Sequence, residues 1–373
     1  MNEHIGHLSV LPIVFAANEK FSIPLILAIE SLLRVAGPAS VYEVHVMDDG
    51  VSSLAKDYLI SLQDKFDYTI TFHDVSQLAV DMPTTYYFPK VTYARFLLPQ
   101  FFAGTSHRRV FYSDADVFFA RDIAPVYNMD MQGCPLAGVQ ELNCLPPVVR
   151  REFSSANVNY VEDWAARFGI PVNVRGAFYV NAGTVLMDIK EFEEGGYAQR
   201  CLDECSKIDL KKAPLLDQDV LNYVCWGRIA LLPPIYGAIP IYGKFYTGQE
   251  YYPQTCKYSL PELAEANNNP AIIHFAGQKP RVLEGARYSL EQPFIDFWQK
   301  SAWRDYMPYA PRIGSMSPSR FIKQNVPIST QLGVLRKELI KYTVASCLPL
   351  PKRRHYAGQR AGLRRVLQNA RSC

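Results

Sequence analysis

Short apolar runs alternate with segments whose apolar residues recur at helical spacing through the first half of the chain, and that alternation restricts the fold to an α/β class. Val10 to Ala17 reads as a strand buried on both faces. After it, Ser22 can cap a helix and Pro24 suits a first turn, while Leu25, Ile29, Leu32 and Leu33 mark one face before Gly37 ends the run. Val41 to Met47 gives a second strand, closed by Asp48-Asp49-Gly50, and a helix follows from Ser52 or Ser53 to about Lys65. Tyr68 to Phe72 supplies a third strand and Arg109 to Tyr112 a fourth. Units of this kind build a mostly parallel sheet with helices on both faces.

The second half is less regular. Gly183 to Met187 and Ala271 to Phe275 read as strands, whereas Glu191 to Ser206, Asp219 to Trp226 and Pro293 to Trp303 read as helices. Between Pro233 and Tyr258 lies a stretch dense in Tyr, Gly and Pro, either a loop over a sugar site or a packed structural one. At 373 residues, with 49% hydrophobic and 20% charged residues, the chain has ample material for a core, which excludes a disordered class. Apolar runs such as Ser9 to Ala17 fall well short of the ~20 residues that span a bilayer, so no transmembrane helix is expected. The Met-Asn-Glu-His start lacks the features of a secretory signal, which predicts a cytoplasmic location. The 8 cysteines form no CxxC pair, and reduced thiols are expected; Cys201 and Cys205 share a helical turn but lack further ligands at zinc-site spacing.

The fourth strand runs into Ser113-Asp114-Ala115-Asp116. In extended backbone, acids two positions apart point to the same side, so both carboxylates can meet one cation. Open α/β sheets bind ligands at the carboxyl ends of their strands. A diphosphate leaving group gains negative charge as its bond breaks, and a bound Mg²⁺ or Mn²⁺ stabilises that charge. Acids at strand ends are also common as caps and solvated turns, and a lone His274 would read as a core histidine, so neither feature decides the matter alone.

Six stretches in fixed order carry more. They are Val14 to Asn18 (VFAAN), Thr92 to Phe96 (TYARF), Val110 to Asp116 (VFYSDAD), Tyr179 to Gly183 (YVNAG), Leu216 to Asn222 (LDQDVLN) and Ile273 to Gly277 (IHFAG). Together they resemble the retaining glycosyltransferases of family 8, which include glycogenin and the bacterial lipooligosaccharide galactosyltransferases. An ordered set is far more specific than any single motif.

The resemblance implies a GT-A-type nucleotide-sugar-binding fold. It also implies Mn²⁺, with Mg²⁺ as the alternative, held by Asp114, Asp116 and His274; an imidazole beside carboxylates suits Mn²⁺ better. It places Ala16 to Asn18 at the uracil and ribose, with Phe21 where a base-stacking Tyr often stands. Arg95 would brace the donor near the two acids, while Asn181 and Asp217 would bond hydroxyls of the donor sugar. Gln218 would lie close to the anomeric carbon, with Asp219 beside it in contact with substrate.

A covalent route to retention needs a carboxylate within reach of that carbon. Gln218 is a poor nucleophile, which favours same-face attack in which the departing phosphate oxygen takes the acceptor proton; Asp217 and Asp219 are secondary candidate nucleophiles. The family follows its metal-binding His with Gly and, two residues on, Lys-Pro-Trp. Here only Gln278 separates Gly277 from Lys279-Pro280, and Arg281 replaces the Trp, so either Lys279 or Arg281 would face the diphosphate. Asn18 stands where many members carry Asp.

From Ile313 to Cys373 the chain holds 12 Lys or Arg and one acid, Glu338. Leu332, Leu335, Leu339 and Tyr342, then Leu363, Val366 and Leu367, recur at helical spacing among these cations, as in basic amphipathic helices that lie on anionic lipid. A peripheral membrane contact is therefore preferred to a nucleic-acid contact or a solubilising tail. Residues 1–310 are expected to be the catalytic domain and 311–373 the basic helical tail. The expected activity is transfer of a hexose, galactose or glucose, from a UDP-sugar donor to a glycan or glycolipid acceptor, in lipopolysaccharide or other surface-glycan synthesis. Two rivals are a nucleotidyltransferase or phosphohydrolase with the same metal and diphosphate site, and a non-catalytic glycan-binding protein of this fold. Asn181 and the Asp217-Gln218 pair weigh against the first, and the retained metal ligands weigh against the second.

Overall fold

The computed structural model describes residues 9–77, 90–141, 164–166, 168–170, 178–207, 215–243, 256–277, 279–280, 282–283, 285–306 and 308–309. The tail 311–373, Gln278, Arg281 and much of the Tyr-rich stretch lie outside them.

The opening βα pattern takes the expected form. Strand β1 (Ser9–Asn18), helix α1 (Ser22–Val35), β2 (Ser40–Asp49), α2 (Ser53–Ser61) and β3 (Tyr68–Asp74) follow in order. After α3 (Leu98–Phe102) come β4 (Arg109–Asp114), β5 (Val117–Phe119) and β6 (Leu136–Gln140). The later part contributes β7 (Val180–Asp188), α4 (Ile189–Glu194), α5 (Tyr197–Ser206), α6 (Asp217–Val224) and β8 (Ile229–Leu231). Helix α7 (Leu260–Asn268), β9 (Ile272–His274) and α8 (Gln292–Lys300) close the described fold.

Seven strands form one sheet in the order β3-β2-β1-β4-β7-β6-β8. Its pairs are parallel except those of β7, which runs against both β4 and β6. The alternation of side chains along a strand divides the interior into two apolar layers. Ile13 and Phe15 of β1, Val44 and Val46 of β2, and Phe111 of β4 enter the larger one, which also takes the inner face of α1. Val14, Met47, Val110 and Tyr112 face the other way, toward α5 and α6. A two-stranded unit of β5 and β9 lies beside the main sheet.

One expected element is corrected. The helix read from Glu191 to Ser206 is two, α4 and α5, broken at Gly195-Gly196, where Gly196 takes a left-handed φ of 63° that few other residues tolerate. Among the described residues, no helix is long and apolar enough to cross a membrane.

Candidate active site

Register assembles the site. Across β1 and β4, Ala16 pairs with Asp114, so the end of the first strand lies beside the first acid. The chain then bends at Ala115 into β5, where Val117 pairs antiparallel with His274 of β9. The His274 N–H donates to Ala238 O at 2.8 Å and the Phe275 N–H to Asp116 O at 2.9 Å. An imidazole encoded far downstream is thereby locked against the acidic pair by backbone bonds on both sides.

His274 Nε2 lies 3.7 Å from Asp114 Oδ2 and 3.5 Å from Asp116 Oδ1. One ligand atom from each of Asp114, Asp116 and His274 falls within 4.8 Å of the others. Gly183 of β7 faces this space: a Cβ there would stand 2.2 Å from His274 Cε1 and 2.7 Å from Asp114 Oδ2. Two carboxylates and an imidazole around a space that a single methyl would obstruct suit a divalent cation. The Asp114 side chain is 30% exposed against 9% for Asp116 and 4% for His274, so the cluster opens to solvent on the Asp114 side.

Lys279 supplies the positive charge on Asp116. Its ammonium bonds Asp116 Oδ2 and the Phe275 carbonyl, the latter at 2.9 Å. Burial would raise the Asp116 carboxyl, but Lys279 and His274 outweigh it and hold the group well below the usual carboxylate range. Gly277, with φ of 72°, makes the turn that precedes this lysine. The shortened spacing to Lys279 therefore still brings it to the acids.

Arg95 occupies the other flank, on a short 3-10 helix that spans Lys90–Leu97. It is buried, donates to Asp114 Oδ1 at 3.1 Å and to the Tyr112 hydroxyl at 3.2 Å, and pairs with Asp217 Oδ2 at 3.0 Å. It also bonds Thr92 O and Ala182 O and lies over the Tyr112 ring. Arg95 thus stays cationic, and its charge is shared between the first acid and the start of α6. Burial pushes Asp217 up to about 6 even with Arg95 pulling the other way.

The LDQDVLN segment enters α6 through Leu216, a buried residue with φ of 46°, a strained conformation for a branched side chain. Asn222 clamps this helix to β7, its amide accepting from Val180 N at 2.7 Å and donating to Val180 O at 2.8 Å. Gln218 Oε1 accepts from Ala182 N at 3.0 Å, and its Nε2 donates to the Tyr179 hydroxyl at 3.3 Å. Asn181 donates to Glu141 Oε2 and accepts from Gly183 N, both at 2.9 Å. Gln218 and Asn181 therefore flank Ala182, next to the glycine that faces Asp114 and His274.

Three residues expected at the substrate also have contacts within the fold. Asp219 is fully buried, accepting from the Tyr179 hydroxyl at 2.7 Å and from Leu215 N at 2.8 Å, so its carboxylate secures the strained entry to α6 from within the fold. Asn18 caps the turn Glu19–Phe21 by accepting from Lys20 N at 3.1 Å. Phe21 packs half-buried against the larger apolar layer. Tyr112, Tyr179, Asn222 and Glu141 join the site without having been singled out; each is one residue with no spacing signal of its own, although three lie inside the motifs quoted above.

The sequence profile of Glycosyl transferase family 8 matches residues 12–280, most of the chain. The chain belongs to that family and is a glycosyltransferase. It is 19% identical over 296 residues to General stress protein A of Bacillus subtilis (strain 168), covering 79% of this chain and 95% of that protein. It is 23% identical over 234 residues to a lipopolysaccharide 1,2-glucosyltransferase of Escherichia coli (strain K12), but that match spans only 61% of this chain and 59% of the relative. Among solved structures, the galactosyltransferase LgtC, in complex with donor and acceptor sugar analogues, superposes with a TM-score of 0.57 at 18% identity over 79% of this chain and 99% of that one. The bifunctional glycosyltransferase WbbM gives 0.62 at 20% identity, covering 81% of this chain and 51% of that one. At such identities the structural likeness establishes the fold, which is of the GT-A type.

Proposed function

We propose that this glycosyltransferase moves a hexose, galactose or glucose, from a UDP-sugar to a glycan or glycolipid acceptor with retention of anomeric configuration. Surface-glycan synthesis, such as that of lipopolysaccharide, is the setting suggested by the E. coli relative. The observation that carries the reading is the convergence of Asp114, Asp116 and His274 at the carboxyl end of β4, open on one side. Mn²⁺, or Mg²⁺ in its place, would be held by these three residues and would supply Lewis-acid charge to the leaving diphosphate.

The remaining roles belong to the chain itself. Lys279, already at the acids, is placed to pair with phosphate oxygens, and Arg95 keeps Asp114 oriented. Ala16, Asn18 and Phe21 would border the nucleoside. Asn181, Asp217 and Gly277 would shape the sugar and phosphate side, and Gln218 would lie beneath the reacting carbon. The two acids that flank Gln218 are both engaged, Asp217 with Arg95 and Asp219 with Tyr179 and Leu215. Neither is presented as a nucleophile, which supports same-face attack, the departing phosphate oxygen taking the acceptor proton. Residues 311–373 are proposed as a separate basic tail that holds a cytoplasmic enzyme to anionic membrane, with no nucleic-acid partner.

The test is UDP release from a panel of UDP-sugars, with and without Mn²⁺ and without acceptor. One hexose donor should be slowly hydrolysed in the presence of Mn²⁺, and Asp116→Asn should abolish that hydrolysis while the protein stays folded. Unchanged turnover in Asp116→Asn would overturn the assignment, and release of pyrophosphate or monophosphate would support a nucleotidyltransferase or phosphohydrolase instead.

A further inference from the structure

Beyond α8, Tyr309 is buried, with 5% of its surface exposed. Its ring packs on Phe275 and Phe294, with centroids 6.4 and 5.9 Å away. Phe275 is the residue whose N–H donates to Asp116 O and whose carbonyl accepts from Lys279. At the far end of the tyrosine ring, the hydroxyl has no hydrogen-bond partner among the described residues. A buried hydroxyl without a partner loses its hydration for nothing, so such groups are few in native folds and call for a cause. Burial first, and the negative charge of Asp116 second, push the phenol far above its ordinary pKa, so it remains a neutral O–H donor. Packing alone would be served by phenylalanine, as its two neighbours illustrate.

We infer that Tyr309 is a positioning residue for Asp116, its hydroxyl donating to that carboxylate when a divalent cation takes the ligand set and Lys279 turns to the donor's diphosphate. The inference rests on the proposed reading of this site. Lys279 satisfies Asp116 Oδ2, and Asp116 is 7% exposed. With a dication held by Asp114, Asp116 and His274, the Lys279 ammonium would be repelled from Asp116 and drawn to the donor's phosphates. Asp116 Oδ2 would then lack its donor in a place that water hardly reaches, and the Tyr309 ring, packed on the Phe275 whose N–H bonds Asp116 O, carries an O–H with no partner among the described residues. Partners of this kind fix a ligand's orientation, and losing one lowers metal affinity by roughly 10- to 100-fold.

The test uses Tyr309→Phe, which keeps the ring and deletes one oxygen, in the full chain. Calorimetric titration with UDP and Mn²⁺, and thermal melting with and without both, supply readouts independent of turnover. The expected result is binding about 10-fold weaker in the variant, with an unchanged or higher melting temperature of the ligand-free protein. Equal affinity in the two proteins would overturn the inference and leave the proposed function standing, as would a lowered melting temperature with unchanged affinity. Absence of Mn²⁺-dependent UDP binding in the wild type would overturn both.

Discussion

Two strand pairs lie side by side in the central sheet and are stabilised in different ways. The β1–β2 pair runs parallel and in register from Ser9–Ser40 to Asn18–Asp49, with side chains that are mostly apolar and buried. The β4–β7 pair is antiparallel and shorter, and around it cluster the buried polar groups Arg95, Asp116, Asn181, Asp217, Asn222 and His274. Charges taken out of water cost stability unless they are paired and hydrogen-bonded. The contrast teaches that the apolar side stabilises a fold in which the polar side can keep its charges in chemically useful positions.

Four substitutions or conditions break or sharpen this division, and the largest effect is expected on the polar side. Arg95→Met leaves Asp217 and Asp114 without their shared cation and should destabilise the protein by about 3–5 kcal/mol while abolishing UDP release. Because Arg95 opposes the burial that favours the neutral form of Asp217, its loss raises that carboxyl further, and the deficit measured by urea denaturation should shrink as pH falls toward about 6 and level off below it. An unchanged midpoint at pH 8 would contradict the buried-pair account. On the apolar side, Leu32→Ala in α1 empties a fully buried position and should cost about 3 kcal/mol. Turnover per folded molecule should stay at the wild-type value, and a fall in kcat at a temperature where the variant is fully folded would blur the division.

Gly183→Ala should have the converse result. The added Cβ displaces His274 and Asp114 from their present positions, and a misplacement of this size lowers the rate by roughly 100-fold with less effect on melting. The smallest effect belongs to His45, stacked on His73 and bonded to Glu43 in the first pair of strands. Burial, aided by His73 and His107 and opposed by Glu43, lowers its pKa below the ordinary 6.5. The unfolded chain therefore binds more protons below that pH, and stability should decline as pH falls from about 6.5, each pKa unit being worth ~1.4 kcal/mol. His45→Gln should flatten that decline; the same acid dependence in both proteins would assign it to other groups.

The apolar half was legible in the sequence because its strands are long, buried and bounded by turn residues, so Val10 to Ala17 and Val41 to Met47 needed no tertiary information. Strands β5 and β8 have three residues each, too few for any periodicity to show, whereas β9, equally short, stood out within the apolar run Ala271 to Phe275; β7 reverses direction for reasons of sheet order rather than local pattern. At the site, the resemblance carried by the ordered motifs pointed to Asp114, Asp116 and His274, and the fold brings one ligand atom of each within 4.8 Å of the others. The inward carboxylate of Asp219 was not legible. An acid beside Gln218 looks the same in sequence whether it faces a sugar or a tyrosine hydroxyl. Glu141 and Tyr309 were equally silent, since each acts through a neighbour distant in the chain.

The pairing of Val117 with His274 also sets the order in which the Asp-Asp-His cluster can assemble. On the ribosome Asp116 emerges first, and His274 follows roughly 160 residues later, a delay of about 8 to 30 seconds at ordinary rates of synthesis. During that interval the nascent chain displays two acids without their imidazole or lysine. The βα units at the start of the chain can therefore form before the three side chains meet, which happens only when β9 pairs with β5.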